Sequence, residues 1–300
     1  MSITFRQLNV FLAVAKYKSI TAAADAMHVT QPTISMQMRE LSEAVGLPLY
    51  EQIGKRLHLT AAGEAVAESA RVMAEEWARL QQTIDAMKGH RTGRLRVAIT
   101  STAKYFVPRM IGGFCKAFPE VDISLEVLNR DGVVQRLRQN ADDLYIMSMP
   151  PEDMKLEQHA FLDNPLVLIA PLSHPLARKR KLALSALANE PFILREPGSA
   201  TRRACNMHFE KHRFEPKVRL ELGSNEAIKH SVAGGLGLSV VSRHALGNDL
   251  KEEGLAVLNV DGFPIRSQWW VLYPRGKRLS PIASAFIEHV DKTVRPLRER

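Results

Sequence analysis

The sequence predicts an α/β chain in three parts: an N-terminal winged helix-turn-helix, one long linker helix, and a C-terminal portion of two α/β subdomains. Three observations predict it. A small-residue helix, a tight turn and a proline-started helix follow one another within residues 19–45. Apolar residues recur from Ala62 to Met87 at close to the spacing of a heptad repeat. Beyond residue 93, short apolar strands alternate with helical segments. The boundaries read as 1–60, 61–92 and 93–300, with a first subdomain from 93–164 and 269–300 and a second from 165–268.

Composition narrows the class before any motif is weighed. A length of 300 residues exceeds one ordinary core. With 45% hydrophobic and 24% charged residues, the chain reads as globular, and its apolar runs fall far short of a membrane span. Arg6 and Gln7 interrupt the apolar start and no small-residue cleavage site follows, so no signal peptide is expected. The reading is a cytoplasmic protein without a membrane partner. Two cysteines, Cys115 and Cys205, suit a reducing compartment and offer no disulfide framework. Residues 1–92 hold ten Lys/Arg against nine Asp/Glu, a net of +1, so +8 of the chain's +9 lies beyond them. An anionic partner is therefore expected of the large C-terminal part, whereas local pattern decides for the head.

In the head, Phe5, Leu8, Phe11, Leu12 and Ala15 mark the inner face of a first helix. Ser19 is placed to cap a short second helix whose alanines let a neighbour approach closely. Thr30 is placed to cap a third, with Pro32 in its first turn, where a missing N–H costs nothing. Ile34, Met38, Leu41 and Val45 face inward, which leaves a slender, mostly polar outer face. Residues 47–52 and 57–59 read as two strands around a tip that carries Lys55 and Arg56. This pattern implies a helix whose N-terminal residues reach base edges and a wing that grips phosphates. A helical bundle with one polar face is the alternative.

Thr60 then caps the long helix, and Ala62, Val66, Ala70, Met73, Trp77, Leu80, Ile84 and Met87 form its apolar stripe. The stripe reads as a dimer seam, or else as one helix lying on its own core. Further strands are expected at 94–99, 121–128, 144–147, 165–170, 192–195, 218–222, 238–241, 255–260 and 269–273, in largely parallel sheets. Three strand ends, Thr100-Ser101-Thr102, residues 195–202 and Gly223-Ser224-Asn225, offer hydroxyls, backbone N–H groups and a guanidinium to an anion.

These segments also carry a resemblance. Residues 19–24 (SITAAA), 30–35 (TQPTIS), 41–46, 49–51 and 59–63 (LTAAG) resemble the winged helix-turn-helix of LysR-type transcriptional regulators. Where many members have an arginine before the wing, this chain has Glu51-Gln52-Ile53. Residues 101–108, 195–202 and 224–229 are similar to the CbbR-type regulators of Calvin-cycle (RuBisCO) operons within that family. The resemblance implies a periplasmic-binding-protein-like effector domain and control by a small metabolite, phosphorylated or otherwise anionic, in activation or repression of carbon-fixation genes. It implies double-stranded DNA as partner, a homodimer assembling to a homotetramer, and room for contact with RNA polymerase. It puts Gln31, Pro32, Thr33, Ser35, Met36, Arg39, Lys55 and Arg56 on DNA. It puts Ser101, Thr102, Asn129, Pro197, Gly198, Ser199, Thr201 and Asn225 around the effector, with Ala200 where glycine is more usual. Two readings stand beside it: a regulator of another anion-responsive operon, and a cytoplasmic metabolite-binding module without DNA binding.

Other chemistry fits less well. Cys115 and Cys205 stand ninety positions apart on expected amphipathic helices and read as structural thiols. His208 and His212 lack the adjacent Glu and third ligand of a zinc site and read as solvated surface. Gly234-Gly235-Leu236-Gly237 lacks the Lys-Ser/Thr of a phosphate loop and reads as a helix stop. Trp269-Trp270 reads as core, and residues 178–181 as a solvated basic loop. With no nucleophile and base at a catalytic spacing, no catalytic residue, metal ligand or cofactor is assigned.

Overall fold

The computed structural model describes residues 3–53, 56–87 and 92–298. It divides into two compact units, residues 1–87 and 88–300, each described by itself.

In the first unit, α1 (Phe5–Tyr17) begins at a capping box between Thr4 and Gln7. α2 (Ile20–Met27) is capped by the Ser19 hydroxyl, which accepts the Ala22 N–H at 3.3 Å. α3 (Gln31–Val45) carries Pro32 in its first turn and stops at Gly46, with φ 78. The hydroxyl of Thr30 does not cap the backbone as expected; it bonds the Thr33 hydroxyl at 2.8 Å. Ala23 and Ala24 are buried, so α1 and α3 close over α2 onto Val10, Phe11, Val14, Ile34, Met38 and Leu41. The buried face of α1 is therefore rotated from the expected one. Val10 and Val14 replace Phe5, which is 39% exposed and lies against Trp77 with ring centroids 5.9 Å apart.

Strand β1 (Tyr50–Ile53) pairs antiparallel with β2 (Arg56–Leu59). Residues 47–49, expected to extend β1, do not join it, because Leu49 is drawn into the core and its carbonyl accepts the Thr60 N–H at 3.1 Å. α4 (Ala61–Met87) follows. Its first turns pack on the head through Ala62, Val66 and Ala67, whereas Val72, Met73, Trp77, Leu80 and Ile84 stand exposed.

The second unit runs β3 (Gly93–Thr100), a 3-10 turn Ser101–Tyr105, α5 (Val107–Ala117), β4 (Val121–Leu128), α6 (Arg130–Arg138), β5 (Leu144–Met147) and β6 (Leu156–Asp163). It continues through β7 (Leu166–Pro171), β8 (Pro191–Arg195), α7 (Ala200–Lys211), β9 (Lys217–Leu222), α8 (Asn225–Ala233), β10 (Ser239–Ser242) and β11 (Leu255–Leu258). It ends with β12 (Gln268–Pro274) and α9 (Pro281–Arg298). One sheet has the order β4-β3-β5-β12-β6 around Leu95, Val97, Ile99, Phe114, Ile146 and Phe286. The other joins β10-β7-β11 to β8-β9 through a Phe192–Leu238 bridge, over Leu168, Leu194 and Phe209.

The sheets are mixed rather than largely parallel. β3 runs parallel to β4 and β5, but β12 is antiparallel to β5 and β6, and β7 is antiparallel to β10 and β11. The chain leaves the first sheet after β6 and re-enters it at β12, so the returning strand meets its neighbours head to tail. β6 was not anticipated. It lies at the sheet edge, and its half-polar sequence LEQHAFLD hides the alternation. Among the described residues no helix is long and apolar enough to cross a membrane.

Candidate functional site

Each unit presents its own surface. On α3, Gln31, Pro32, Met36 and Arg39 are exposed, and Thr33 and Ser35 are half-buried. Met36 is 52% exposed, an apolar side chain held out among polar ones. Arg39 folds back on Glu43 at 2.8 Å. Glu40 accepts from Gln37 and, across to α1, from Gln7, both at 3.0 Å, which fixes the helix beneath its outer face. Lys55 lies outside the described residues, and Arg56 opens β2.

In the second unit the ends of strands from both sheets converge. Arg195, at the end of β8, is 3% exposed. It donates to the Ser101 hydroxyl at 3.1 Å, to Asn225 Oδ1 at 3.0 Å and to the Glu196 carboxylate at 2.7 Å. Asn225 in turn donates through Nδ2 to Thr102 Oγ1 at 3.1 Å. Thus the turn after β3 in one sheet is tied to β8 and α8 of the other. Thr100, Ser148, Arg130, Ser199, Thr201 and Trp269 complete the lining of this narrow cleft. The Thr100 hydroxyl and the Trp269 indole N–H are buried there and make no hydrogen bond within the protein. Unpartnered buried donors are costly, so an acceptor-rich guest would be held favourably against them.

Arg130 is also nearly buried. Its Nε donates to the Met149 carbonyl at 2.8 Å and its Nη1 to Asp131 at 3.2 Å. At the lip, Gly198 has φ 88 and its carbonyl accepts the Asp131 N–H at 3.2 Å. That φ favours glycine, and a Cβ there would also stand 2.8 Å from Asp131 Oδ2, whose side chain would have to swing aside. Beside the cleft, Glu226 accepts from Tyr105 at 2.6 Å and from Lys104 at 2.9 Å. Burial pushes its carboxyl up, but the hydrogen bonds from Tyr105, Lys104 and Ser224 outweigh that and bring its pKa down to about 2.

Residues 5–64 match the bacterial regulatory helix-turn-helix proteins of the lysR family, and residues 88–295 match the LysR substrate binding domain. The chain belongs to the LysR family.

Among relatives of this LysR-family protein, the RuBisCO operon transcriptional regulator of Acidithiobacillus ferrooxidans is 48% identical over 96% of this chain and 93% of that one. The regulatory domain of CcmR from Synechocystis PCC6803, solved in complex with 2-PG, is 46% identical, with a TM-score of 0.66 over 68% of this chain and 98% of its own. Full-length CbnR complexed with its target DNA is 26% identical, with a TM-score of 0.66 over 97% of this chain and 99% of that one.

Within the LysR substrate binding domain, the structure brings Ser101, Thr102, Ser199 and Thr201 together on one cleft. Asn225 sits behind Thr102 and Arg195. Pro197 and Gly198 form the lip, and Asn129 caps α6, accepting the Gly132 N–H at 2.9 Å. Thr100 and Arg195, which stand in the strand ends expected to face an anion, line the cleft as well, whereas Arg130, Ser148 and Trp269 join it without any sign in the sequence reading. Of the cysteines, Cys115 is half-buried and Cys205 buried, with burial pushing the Cys205 thiol up to about 12.

Proposed function

We propose that this LysR-family protein is a cytoplasmic, non-catalytic regulator that binds double-stranded DNA through α3 of a dimer and responds to a small phosphorylated anion in the cleft. The observation that carries the reading is the buried Arg195 guanidinium, bonded to Ser101 and Asn225 beside the unpartnered donors of Thr100 and Trp269. A cationic and hydroxyl lining of this kind suits a phosphate or carboxylate. The 2-PG held by CcmR and the operon named for the Acidithiobacillus relative support 2-phosphoglycolate as effector class and carbon-fixation genes as targets.

In this reading Gln31, Thr33, Ser35, Met36 and Arg39 face bases or adjacent phosphates, and Lys55 and Arg56 hold the backbone. Met73, Trp77, Leu80 and Ile84 bury their exposed faces against a second copy, and dimers pair into a tetramer. Two heads so joined reach grooves about 34 Å apart on one side of the duplex. The hinge at 89–92 lies almost wholly outside the described residues. An effector that binds one cleft geometry better shifts the assembly toward it, whether the outcome is activation or repression. The test is calorimetry of 2-phosphoglycolate on the full chain, followed by footprinting on the upstream intergenic DNA with and without it. A heat of binding and a ligand-dependent footprint are expected; neither appearing overturns the reading.

A further inference from the structure

A groove beside the C-terminal half of α7 stands apart from the cleft. It encloses about 530 Å³, within the range of small-molecule pockets. Its lining includes the apolar side chains of Met149, Met207 and Ile265, with Met207 55% exposed, and the cations Lys211 and Arg266. Among the described residues, neither cation has a hydrogen-bonding or ion-pairing partner. The adjacent Asp261 carboxylate is engaged by Lys181 at 2.9 Å.

His208 of α7 and His212, which follows the helix as its C-cap, complete the wall. His212 donates from Nδ1 to the His208 carbonyl at 2.8 Å, and His208 Nε2 is buried without a partner. Burial, then the nearby His212 and Lys211, hold the His208 pKa below its ordinary value. The local field is therefore positive from Lys211 and Arg266, with His208 neutral. That disfavours a metal cation, and among the described residues no cluster of three His, Cys, Asp or Glu side chains is available to hold one.

We propose that this groove is a second ligand site, taking an organic anion whose carboxylate or phosphate lies between Lys211 and Arg266 and whose apolar body rests on Met149, Met207 and Ile265. The site is placed to influence the cleft. Ile265 pairs with Leu166 through bonds of 2.9 and 3.0 Å, and the Ser267 carbonyl accepts the Asn164 N–H at 2.8 Å, where the chain crosses between sheets. Met149 has φ 81, a left-handed backbone strained for a long side chain, and its carbonyl holds the cleft residue Arg130. A guest on the Met149 side chain therefore acts on both the crossing and Arg130, and any coupling to the cleft ligand is reciprocal.

The test uses the full chain with methyl-labelled methionine, titrated with phenyl phosphate and read by methyl NMR. Saturable shifts at Met149 and Met207 are expected. The double variant Lys211→Ala/Arg266→Ala is expected to weaken them at least tenfold while its melting temperature holds. The cleft variant Ser101→Ala is expected to keep them. Three results overturn the proposal: no saturable shift at Met149, equal affinity in the double variant, or loss of the shift in Ser101→Ala alone. A shift produced by zinc chloride and not by phenyl phosphate, abolished in His208→Ala, would assign a metal instead and overturn it too.

Discussion

Arg195 ends a strand of one sheet and Ser101 begins the turn that follows a strand of the other, yet the guanidinium Nη2 lies 3.1 Å from the hydroxyl oxygen and donates to it. The same guanidinium holds Asn225, which holds Thr102, so one buried cation organises the cleft from both sides. Removing it leaves Glu196 without its partner and, in the proposed reading, takes away the cation that would hold an anion. Arg195→Met is expected to raise the dissociation constant for 2-phosphoglycolate by about ten- to a hundredfold, the scale of a lost charge-assisted hydrogen bond of about 1.5–3 kcal/mol. Calorimetry on the variant, with its melting temperature alongside, measures this.

The Glu226 contact gives a pH signature. Its folded pKa of about 2 lies below the ordinary 4.5, so its contribution to stability is complete above about 4.5 and is lost as the pH falls toward 2. Glu226→Gln has no such titration. The difference in melting temperature between the protein and this variant is expected to be constant above pH 5 and to shrink between about pH 4.5 and 2. Melting curves across that range decide it, and a difference that grows on acidification would contradict the assignment.

Gly63 is where α4 meets the loop before β1. A Cβ there would overlap the Leu49 carbonyl oxygen, a backbone atom that cannot swing aside. Gly63→Ala is expected to destabilise the head by about 1–3 kcal/mol, as overpacking does, while the second unit melts unchanged. Tryptophan fluorescence separates them, since Trp77 lies in the first unit and Trp269 and Trp270 in the second.

The exposed stripe on α4 predicts an assembly. Leu80→Asp combined with Ile84→Asp places two charges where a partner helix would pack. Sedimentation is expected to show a lower oligomer, with footprints that lose one half-site.

Arg39 is paired with Glu43 in the free protein, so the proposed contact with DNA would exchange one partner for another. Arg39→Ala is expected to weaken operator binding roughly tenfold and, if the contact is to phosphate, to lower the salt slope by about one. Gel shifts at several salt concentrations read both quantities.

How much of this was legible in the chain follows the range of the forces involved. The caps at Ser19 and Thr60, the Pro32 start, the inward Ile34-Met38-Leu41 row and the stripe on α4 are local, and period and capping chemistry carry them. The rotated face of α1 was not, because Phe5 finds Trp77 some seventy positions away and Val10 and Val14 take the core instead. The same holds for the edge strand β6, whose pairing with β12 joins residues about a hundred positions apart.

By itself the sequence determined the order of helices and strands apart from β6, the small-residue helix against a proline-started one, and the hydroxyl-rich strand ends, since each depends on neighbours within a few turns. Only the tertiary structure decided that Arg195 would reach Ser101 and Asn225, that Trp269 would line the cleft with its N–H buried and unpartnered, and that Lys211 and Arg266 would share a groove. A buried cation is tolerable only where hydrogen-bonding partners converge on it, and that convergence is made by the chain crossing twice between its sheets.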